Sequence, residues 1–313
     1  TRPNIDVEIV REPIGVTVLI TPWNFPIAIP AWKIAPALAH GNTVVLKPSE
    51  ITPASAYHLT KIMEEAGLPA GVFNLLVAKG EAVGETLVSH PAVAGISFTG
   101  SVPTGRKIAQ GAIQHMKKIQ MEMGGKNPMV IMEDADLDIA IPVTINGAFY
   151  QTGQRCTASS RVIVHEKIYD AFVERFVSEM DKLSVGPALD PTTQIGPVVS
   201  DTQLKSNLSY VEIARNEGCE VVSGQHLAER NTGYFQRPGV FLNANNKMRS
   251  SREEIFGPVA SIIKVGDFEE AVATANDTEF GLSSAICTRS LYYAREFKRL
   301  SEAGMATVSY THL

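Results

Sequence analysis

The sequence predicts an α/β protein built around a parallel β-sheet with helices on its faces. The main observation is that short β-branched runs alternate with amphipathic helical patterns from Thr43 to Glu122, an order typical of parallel strands joined by helices. The second observation is composition. The chain has 313 residues, of which 44% are hydrophobic and 19% are charged. A chain this long and apolar can bury a large core, and its length predicts about two domains.

Strands and helices alternate through the first half of the chain. One helix is predicted to begin after Thr52, a potential N-cap, with Pro53 at its first position. Gly67 is placed to end this helix. The predicted strands are Thr43–Lys47, 72–76, 93–98 and Lys118–Glu122, and the later helices are 81–90 and 103–115.

The second half begins at a glycine pair, Gly124 and Gly125, where the alternation breaks and a domain boundary is expected. Asp136 can cap a helix that runs to Phe149, in which Pro142 either bends the helix or marks a first turn. A further helix is strongly amphipathic, because its aromatic and aliphatic residues share one face. The predicted elements are strands at 129–132, 161–165 and 219–223 and helices at 136–149, 167–183 and 201–217.

Charge and cysteine content exclude several classes of protein. The net charge of −5 argues against nucleic acid or an anionic membrane as the main partner. No run approaches the ~20 apolar residues of a membrane span, and the first residues lack the apolar run of a signal peptide. The three cysteines are widely spaced and no metal-ligand cluster is evident, so we expect no metal site and a cytoplasmic location. Cys219 and Cys287 lie in apolar strand contexts, which predicts inert core thiols.

Several candidate functional residues follow predicted strands or turns, where parallel sheets bind ligands. Lys47 and Glu50 follow one strand, and surface charges are their alternative interpretation. Gly100 and Ser101 follow another strand, where a phosphate site and a plain N-cap are both possible. Cys156 follows a glycine turn and is either a nucleophile or a small buried residue.

Short motifs occur in a fixed order along the chain: Pro22-Trp23-Asn24-Phe25-Pro26, Lys47-Pro48-Ser49-Glu50, Phe98-Thr99-Gly100-Ser101, Glu122-Met123-Gly124-Gly125-Lys126, Gly153-Gln154-Arg155-Cys156 and Glu254-Ile255-Phe256-Gly257-Pro258. Together they resemble the aldehyde dehydrogenase superfamily, from about Val10 to Val308. No single motif is specific enough, whereas the ordered set is. The resemblance implies a Rossmann-like coenzyme domain followed by an α/β catalytic domain, and NAD(P)-dependent oxidation of an aldehyde to an acid.

The resemblance also implies catalytic roles. Cys156 would attack the aldehyde, and the Asn24 amide and the Cys156 main-chain N–H would stabilise the oxyanion. Glu122 would act as the general base that activates water to hydrolyse the thioester. Lys33 matches a family lysine near the catalytic asparagine and would relay protons. The alternatives are a capping carboxylate for Glu122, a turn residue for Asn24 and a surface residue for Lys33.

The implied cofactor is NAD, which is preferred, or NADP. Glu50 favours NAD, because a carboxylate accepts hydrogen bonds from the ribose 2′-hydroxyl and repels a 2′-phosphate. The implied cofactor-binding residues are Ile20, Trp23, Lys47, Glu50, Gly100, Ser101, Gly105, Glu254 and Phe256.

The segment 147–161 most resembles the branch that oxidises α-ketoglutarate semialdehyde (2,5-dioxopentanoate). Succinate semialdehyde or a broad range of aldehydes are the alternative substrates. Gln154 and Arg155 are candidate substrate contacts, since a guanidinium can bind a carboxylate; a structural pairing is the alternative for Arg155. The presence of Glu122 favours hydrolysis to a free acid over transfer to coenzyme A.

Members of this superfamily are usually longer, so we expect parts of the scaffold to be missing at both ends. A homo-oligomer, a dimer or a tetramer, is expected for the full-length protein, and a nucleotide-binding fragment without turnover is the alternative function. The expected regions are a remnant of an oligomerisation arm (1–13), a partial NAD(P)-binding domain (14–124), a partial catalytic domain (125–308) and a non-native tail (309–313).

Overall fold

The computed structural model describes residues 5–227 and 233–309. The chain divides between Met123 and Gly124 into two compact units, which we call the N-terminal unit and the C-terminal unit. Residues 1–4 of the expected arm and residues 310–313 of the expected tail lie outside the described residues. In the described part of the chain, no helix is long and apolar enough to cross a lipid bilayer.

The N-terminal unit contains a five-stranded sheet in which every strand pairing is parallel. Its order, β3-β2-β1-β4-β5, places the first strand in the centre, which is a doubly wound arrangement. The strands are β1 (Val16–Ile20), β2 (Thr43–Lys47), β3 (Phe73–Leu75), β4 (Val93–Thr99) and β5 (Lys118–Glu122), and the helices are α1 (Ala28–Ala39), α2 (Pro53–Glu65), α3 (Gly80–Ser89) and α4 (Val102–Gln114).

Helices cover both faces of this sheet, because successive residues of a strand point to opposite sides. Val18 of β1 belongs to an apolar cluster with Leu87 of α3 and Ile108 of α4. Its neighbour Leu19 belongs to another cluster with Ile34 of α1. The predicted α/β class is therefore confirmed.

Helix α2 begins and ends where the sequence predicts, but Thr52 does not make the predicted capping hydrogen bond. Pro53 opens the helix, whereas the Thr52 side chain does not cap it. The Thr52 hydroxyl instead donates to the main-chain carbonyl of Trp23 at 3.4 Å. Gly67 follows the helix with a φ of +87°, a conformation that glycine adopts without strain.

The C-terminal unit contains a seven-stranded sheet of order β12-β11-β6-β7-β10-β9-β8. All pairings are parallel except that of the edge strand β8 with β9. The strands are β6 (Asn127–Ile131), β7 (Ser159–His165), β8 (Glu220–Ser223), β9 (Gly239–Ala244), β10 (Val259–Val265), β11 (Ser283–Cys287) and β12 (Met305–Val308), and the helices are α5 (Leu137–Phe149), α6 (Tyr169–Asp181), α7 (Asp201–Asn216), α8 (Arg249–Arg252), α9 (Phe268–Asn276) and α10 (Leu291–Leu300).

Apolar clusters fill both faces of the second sheet. Phe172 and Phe176 of α6 are fully buried, so the predicted apolar stripe of this helix is core. The helix begins later than predicted, after a 3-10 turn at Glu166–Ile168. Cys219 and Cys287 are buried, as predicted for core thiols, and burial raises the pKa of Cys287 to about 12.

Candidate active site

The predicted site residues of the N-terminal unit follow the carboxyl ends of its strands. Ile20 ends β1, Lys47 ends β2, and Glu122 ends β5. Gly100 and Ser101 follow β4 directly. In a doubly wound sheet the ligand crevice lies at this edge, beside the strand where the order reverses. Here that strand is the central β1, flanked by β2 and β4.

Lys47 and Glu50 form an ion pair with Nζ and Oε2 3.2 Å apart. The side chain of Lys47 is only 8% exposed, whereas that of Glu50 is 49% exposed. Lys47 is therefore not a surface charge. A hydrogen bond from the main-chain N–H of Glu50 lowers the pKa of its own carboxyl, and Lys47 lowers it further against the opposing effect of burial. The pair presents a charged, accessible carboxylate over a buried ammonium.

Ser101 occupies the N-cap position of α4, but its side chain makes no capping bond to the helix. Its hydroxyl donates to Thr104 Oγ1 at 3.0 Å. Gly105, one turn further, allows close packing, because a Cβ there would lie 2.6 Å from Met123 Sδ. Ser101 is an exposed residue at the start of α4.

Asn24 lies half-buried in the turn between β1 and α1. Phe25 adopts a left-handed backbone with a φ of 49°, and its carbonyl oxygen accepts from the Ile29 main-chain N–H at 3.1 Å. The turn thus leads into α1, and Asn24 is one of its residues. Thr21 precedes this turn and is 3% exposed, and its hydroxyl has no hydrogen-bond partner among the described residues. A buried, unpartnered hydroxyl is unfavourable and is suited to contact a ligand.

Lys33 of α1 joins a hydrogen-bonded network on β4 and β5. Its Nζ donates to Ser97 Oγ at 2.7 Å and to Gln120 Oε1 at 3.0 Å. Gln120 Nε2 in turn donates to Glu122 Oε1 at 2.9 Å. Lys33 is buried, which lowers its pKa to about 8 against the opposing charge of Glu122. Lys33 is thus not a surface residue, and Glu122 ends a strand instead of capping a helix.

In the C-terminal unit, Cys156 follows an unusual turn. The preceding residues Gln151, Thr152 and Gly153 all adopt left-handed backbones, with φ of 56°, 61° and 64°. Such conformations cost about 1–3 kcal/mol each for residues other than glycine and cluster at functional sites. Thr152 is anchored by its hydroxyl, which donates to the Gly196 carbonyl at 3.0 Å. The turn leaves Cys156 partly exposed.

Asn127, the first residue of β6, fixes the main chain on either side of the cysteine. Its Nδ2 donates to the carbonyl oxygens of Cys156 at 2.8 Å and Ala158 at 2.9 Å. Its Oδ1 accepts from the Ser283 main-chain N–H at 3.1 Å. Because Asn127 is only 4% exposed, these bonds form in a nearly dry environment, where losing them is expensive.

The glycine pair lies between Cys156 and Glu254. The main-chain N–H of Gly125 donates to Glu254 Oε1 at 3.0 Å. A Cβ on Gly125 would lie 2.7 Å from the Cys156 carbonyl oxygen, and one on Gly124 would lie 2.0 Å from Glu254 Oε2. Burial raises the pKa of Glu254, opposed by the Gly125 bond and by Lys126. Cys156 and Glu254 therefore both pack against the glycine pair, which has no room for side chains.

Phe256 lies in a loop that contacts the turn before the cysteine. It has a left-handed backbone with a φ of 62°, and its carbonyl accepts from Gln203 Nε2 at 3.4 Å. A Cβ on Gly153 would lie 2.1 Å from the Gly257 carbonyl oxygen. The loop of Phe256 and the turn before Cys156 thus pack closely, because the main chain of Gly257 occupies the space that a side chain at position 153 would need.

The two candidate substrate contacts bond to the protein itself. Arg155 is 6% exposed, and its Nη2 donates to the carbonyls of Asn146 and Gly147 in α5. Gln154 accepts from the Val199 main-chain N–H at 2.9 Å. These bonds support the structural alternative for Arg155.

Sequence reasoning missed four residues of these arrangements: Thr21, Ser97, Gln120 and Asn127. A usable signal existed for Gln120, because it lies two residues before Glu122 on a strand and so shares its face. Asn127 directly follows a recognised motif. Its contacts with residues 29 and 156 positions away leave no local signal in the sequence.

Comparisons with known proteins identify the family of the chain. The aldehyde dehydrogenase family model matches residues 1–311. A curated relative from Haloferax volcanii, named α-ketoglutarate semialdehyde dehydrogenase, is 44% identical over 98% of this chain and 64% of its own length. A relative from Schizosaccharomyces pombe, named probable betaine aldehyde dehydrogenase, is 44% identical over 97% of this chain and 61% of its own length.

Solved structures show the same fold. The crystal structure of betaine aldehyde dehydrogenase from Staphylococcus aureus in complex with NAD⁺ matches with a TM-score of 0.95 and 35% identity, over 99% of this chain and 63% of that one. The chain thus spans less than two thirds of the length of the relatives it matches. Because the family model covers nearly all of the sequence, the chain belongs to the aldehyde dehydrogenase family.

Proposed function

We propose that this protein oxidises an aldehyde to a carboxylic acid with NAD(P), through a thiohemiacetal and a thioester on Cys156. The observation that carries the proposal is the construction around Cys156. The cysteine follows three left-handed residues, Asn127 holds its carbonyl, and the glycine pair links it to Glu254. A main chain constrained in this way suits a nucleophile whose own N–H must point at a developing oxyanion.

In the proposed first half-reaction, the Cys156 thiolate attacks the carbonyl carbon and forms a C–S bond, while the carbonyl electrons move to oxygen. The Cys156 main-chain N–H and the Asn24 amide donate hydrogen bonds to this oxyanion. When NAD(P) is bound, its nicotinamide supplies the acceptor for the hydride that leaves as the oxyanion collapses. The product on the protein is a thioester of Cys156.

In the second half-reaction, Glu122 accepts a proton from water as the water oxygen attacks the thioester carbon. The C–S bond then breaks, the free acid leaves, and the Cys156 thiolate is restored. Lys33, on which the charge of Glu122 acts directly, would relay this proton. Its pKa of about 8 suits an amine that exchanges protons near neutral pH.

The residues of the N-terminal unit fit a dinucleotide cofactor. The unpartnered buried hydroxyl of Thr21 and the exposed Glu50 carboxylate follow the adjacent strands β1 and β2, of which β1 is the strand where the order reverses. Glu50, with Lys47 beneath it, would hold the adenosine ribose and favour NAD over NADP. Gly100, Ser101 and Gly105 would hold the pyrophosphate region, Ile20 and Trp23 would line the site, and Glu254 and Phe256 would contact the nicotinamide end.

For the substrate we propose α-ketoglutarate semialdehyde, the compound in the name of the Haloferax volcanii relative. Betaine aldehyde is the second candidate, because the Schizosaccharomyces pombe relative carries that name at the same identity. Succinate semialdehyde and a broad specificity remain the further alternatives. Arg155 gives no support to an acidic substrate, since its guanidinium binds carbonyls of α5.

The test is NADH formation by the 313-residue chain with each of these aldehydes, with Cys156→Ser as the matched variant. We expect the highest kcat/KM with α-ketoglutarate semialdehyde and no activity in the variant. If kcat/KM is higher with betaine aldehyde, which is cationic, than with the acidic aldehydes, the substrate assignment is wrong. Binding of NAD by calorimetry without turnover of any aldehyde would overturn the proposed activity and support a nucleotide-binding fragment. Light scattering in the same samples tests the expected dimer or tetramer.

A further inference from the structure

Ser97 and Gln120 lie in the network around Glu122 but have no role in the reaction proposed above. They are register partners on the parallel strands β4 and β5. Side chains two apart on a strand share a face, so Gln120 and Glu122 point to the same side of the sheet. Lys33 reaches this face from α1, since it bonds to both Ser97 and Gln120.

The two ends of the Gln120 amide have different partners. Its Oε1 accepts from Lys33 Nζ at 3.0 Å and also from Ser97 Oγ. Its Nε2 donates to Glu122 Oε1 at 2.9 Å. The reverse orientation would point the amide's N–H groups at the ammonium of Lys33, which has no acceptor. Lys33 and Ser97 therefore fix the amide so that its donor end faces Glu122.

We propose that Gln120 is a positioning residue for thioester hydrolysis, which holds the Glu122 carboxylate toward the attacking water and ties it to Lys33. Ser97 supports this role by bonding to both Lys33 and Gln120. The inference rests on the proposed function, in which Glu122 is the base of the second half-reaction. Because thioester formation does not use that base, Gln120 acts on hydrolysis and leaves hydride transfer unchanged.

The kinetic test uses Gln120→Leu, which keeps the approximate size of the side chain and removes both ends of the amide. The value of kcat/KM for the aldehyde reports steps up to hydride transfer, whereas kcat also includes hydrolysis. We expect kcat to fall about tenfold, a fraction of the ~100-fold or more that a general base contributes. We expect kcat/KM to stay within about twofold, and the first equivalent of NADH to form at the parent's rate.

A second readout does not depend on turnover. The reaction of Lys33 with acetic anhydride, followed by mass spectrometry over a pH range that spans 8, reports its protonation. Gln120 accepts a hydrogen bond from the charged amine, which favours the charged form. Glu122 is the charged group that acts on Lys33, and Gln120→Leu leaves it in place. The midpoint for Lys33 should therefore move to lower pH in Gln120→Leu, and also in Ser97→Ala, which removes the other acceptor of Lys33.

Lys118→Gln is the matched control, because Lys118 lies on the same face of β5, two residues before Gln120, and is exposed. It should change neither readout. A parallel fall of kcat and kcat/KM in Gln120→Leu, or parent-like values of both, would overturn the inference. If Glu122→Gln blocks hydrolysis while Gln120→Leu behaves as the parent, this inference alone fails. If the parent chain oxidises no aldehyde, the proposed function fails, and the hydrolytic role of Gln120 fails with it.

Discussion

Asn127 Nδ2 donates a hydrogen bond to the main-chain carbonyl oxygen of Cys156 at 2.8 Å. The same amide also bonds to Ala158 and Ser283, so one buried side chain joins β6, the cysteine turn and β11. The orientation of the Cys156 main chain is therefore set by a residue outside the turn itself. This relationship makes Asn127 a supporting residue of the proposed oxyanion site.

Asn127→Ala should destabilise the protein and impair its chemistry. It leaves the buried carbonyl of Ala158, the partly buried carbonyl of Cys156 and one N–H without their partner, which typically lowers the free energy of unfolding by about 1–3 kcal/mol. A misplaced Cys156 N–H should lower kcat/KM on the order of 10–100-fold. Chemical denaturation and steady-state kinetics measure the two effects. Ser283→Ala is the control, since Ser283 contributes its main-chain N–H; an equal effect in this control would contradict the account.

Gly124→Ala should clash with Glu254, because the new Cβ would lie 2.0 Å from its carboxylate. Overpacking of this kind lowers the free energy of unfolding by about 1–3 kcal/mol. In a Glu254→Ala background the clashing oxygens are gone, so the same substitution should be nearly neutral. A double-mutant cycle followed by circular dichroism measures this coupling. Additive effects of the two substitutions would show that the glycine is required for another reason.

Lys33 should make stability rise with pH above 8. Its pKa is lowered from 10.5 to about 8 in the folded chain, so between these values the unfolded chain binds more protons, and the free energy of unfolding increases with pH. Relative to Lys33→Met, the parent should gain up to about 1.4 kcal/mol per pH unit in this window for one proton.

Fluorescence of Trp23 and Trp32, which both lie in the N-terminal unit, reports unfolding of that unit. Lys107→Met, at an exposed position of α4, is the control and should keep the pH dependence of the parent. If the stabilities of Lys33→Met and the parent run parallel from pH 8 to 10.5, the buried amine is not responsible.

Glu50→Gln should weaken NAD binding and reduce discrimination against NADP. The substitution replaces a charged acceptor by a neutral one, and hydrogen bonds to charged groups contribute about 1.5–3 kcal/mol. The dissociation constant for NAD should therefore rise about tenfold, whereas that for NADP should fall or stay constant. Titration calorimetry measures both. Glu64→Gln, which alters an exposed carboxylate paired with Lys61, should change neither constant.

Local patterns predicted much of the fold, and the exceptions have physical reasons. The strands Thr43–Lys47 and Lys118–Glu122 have the predicted bounds. The first is a run of β-branched and aliphatic residues, and the second follows the predicted helix 103–115. The central strand β1 and helix α1 were not predicted. Helix α1 contains Pro36, which argues against a helix locally. Burial of Ile34 and Leu19 in one cluster outweighs that penalty, and such tertiary packing is invisible in a short sequence window.

The candidate site divides in the same way. Cys156 and Glu254 lie in short motifs that are recognisable in the sequence. Both contact the glycine pair in the folded chain. The positions of their supporting residues depend on strand register and on contacts between distant segments. Gln120 reaches Lys33 across 87 positions, and Asn127 reaches Ser283 across 156. The sequence motifs thus identify reactive groups, whereas only the folded chain shows what holds them.

A single turnover shows whether Cys156 carries the thioester and whether Glu122 is the base that hydrolyses it. The chain is mixed with NAD and α-ketoglutarate semialdehyde, quenched, and examined by NADH absorbance and peptide mass spectrometry. Glu122→Gln should form one NADH per chain and accumulate the acyl group on Cys156, and Cys156→Ser should form neither. NADH formation by Cys156→Ser at the parent's rate, or an acyl group on Cys219 or Cys287, would contradict the account.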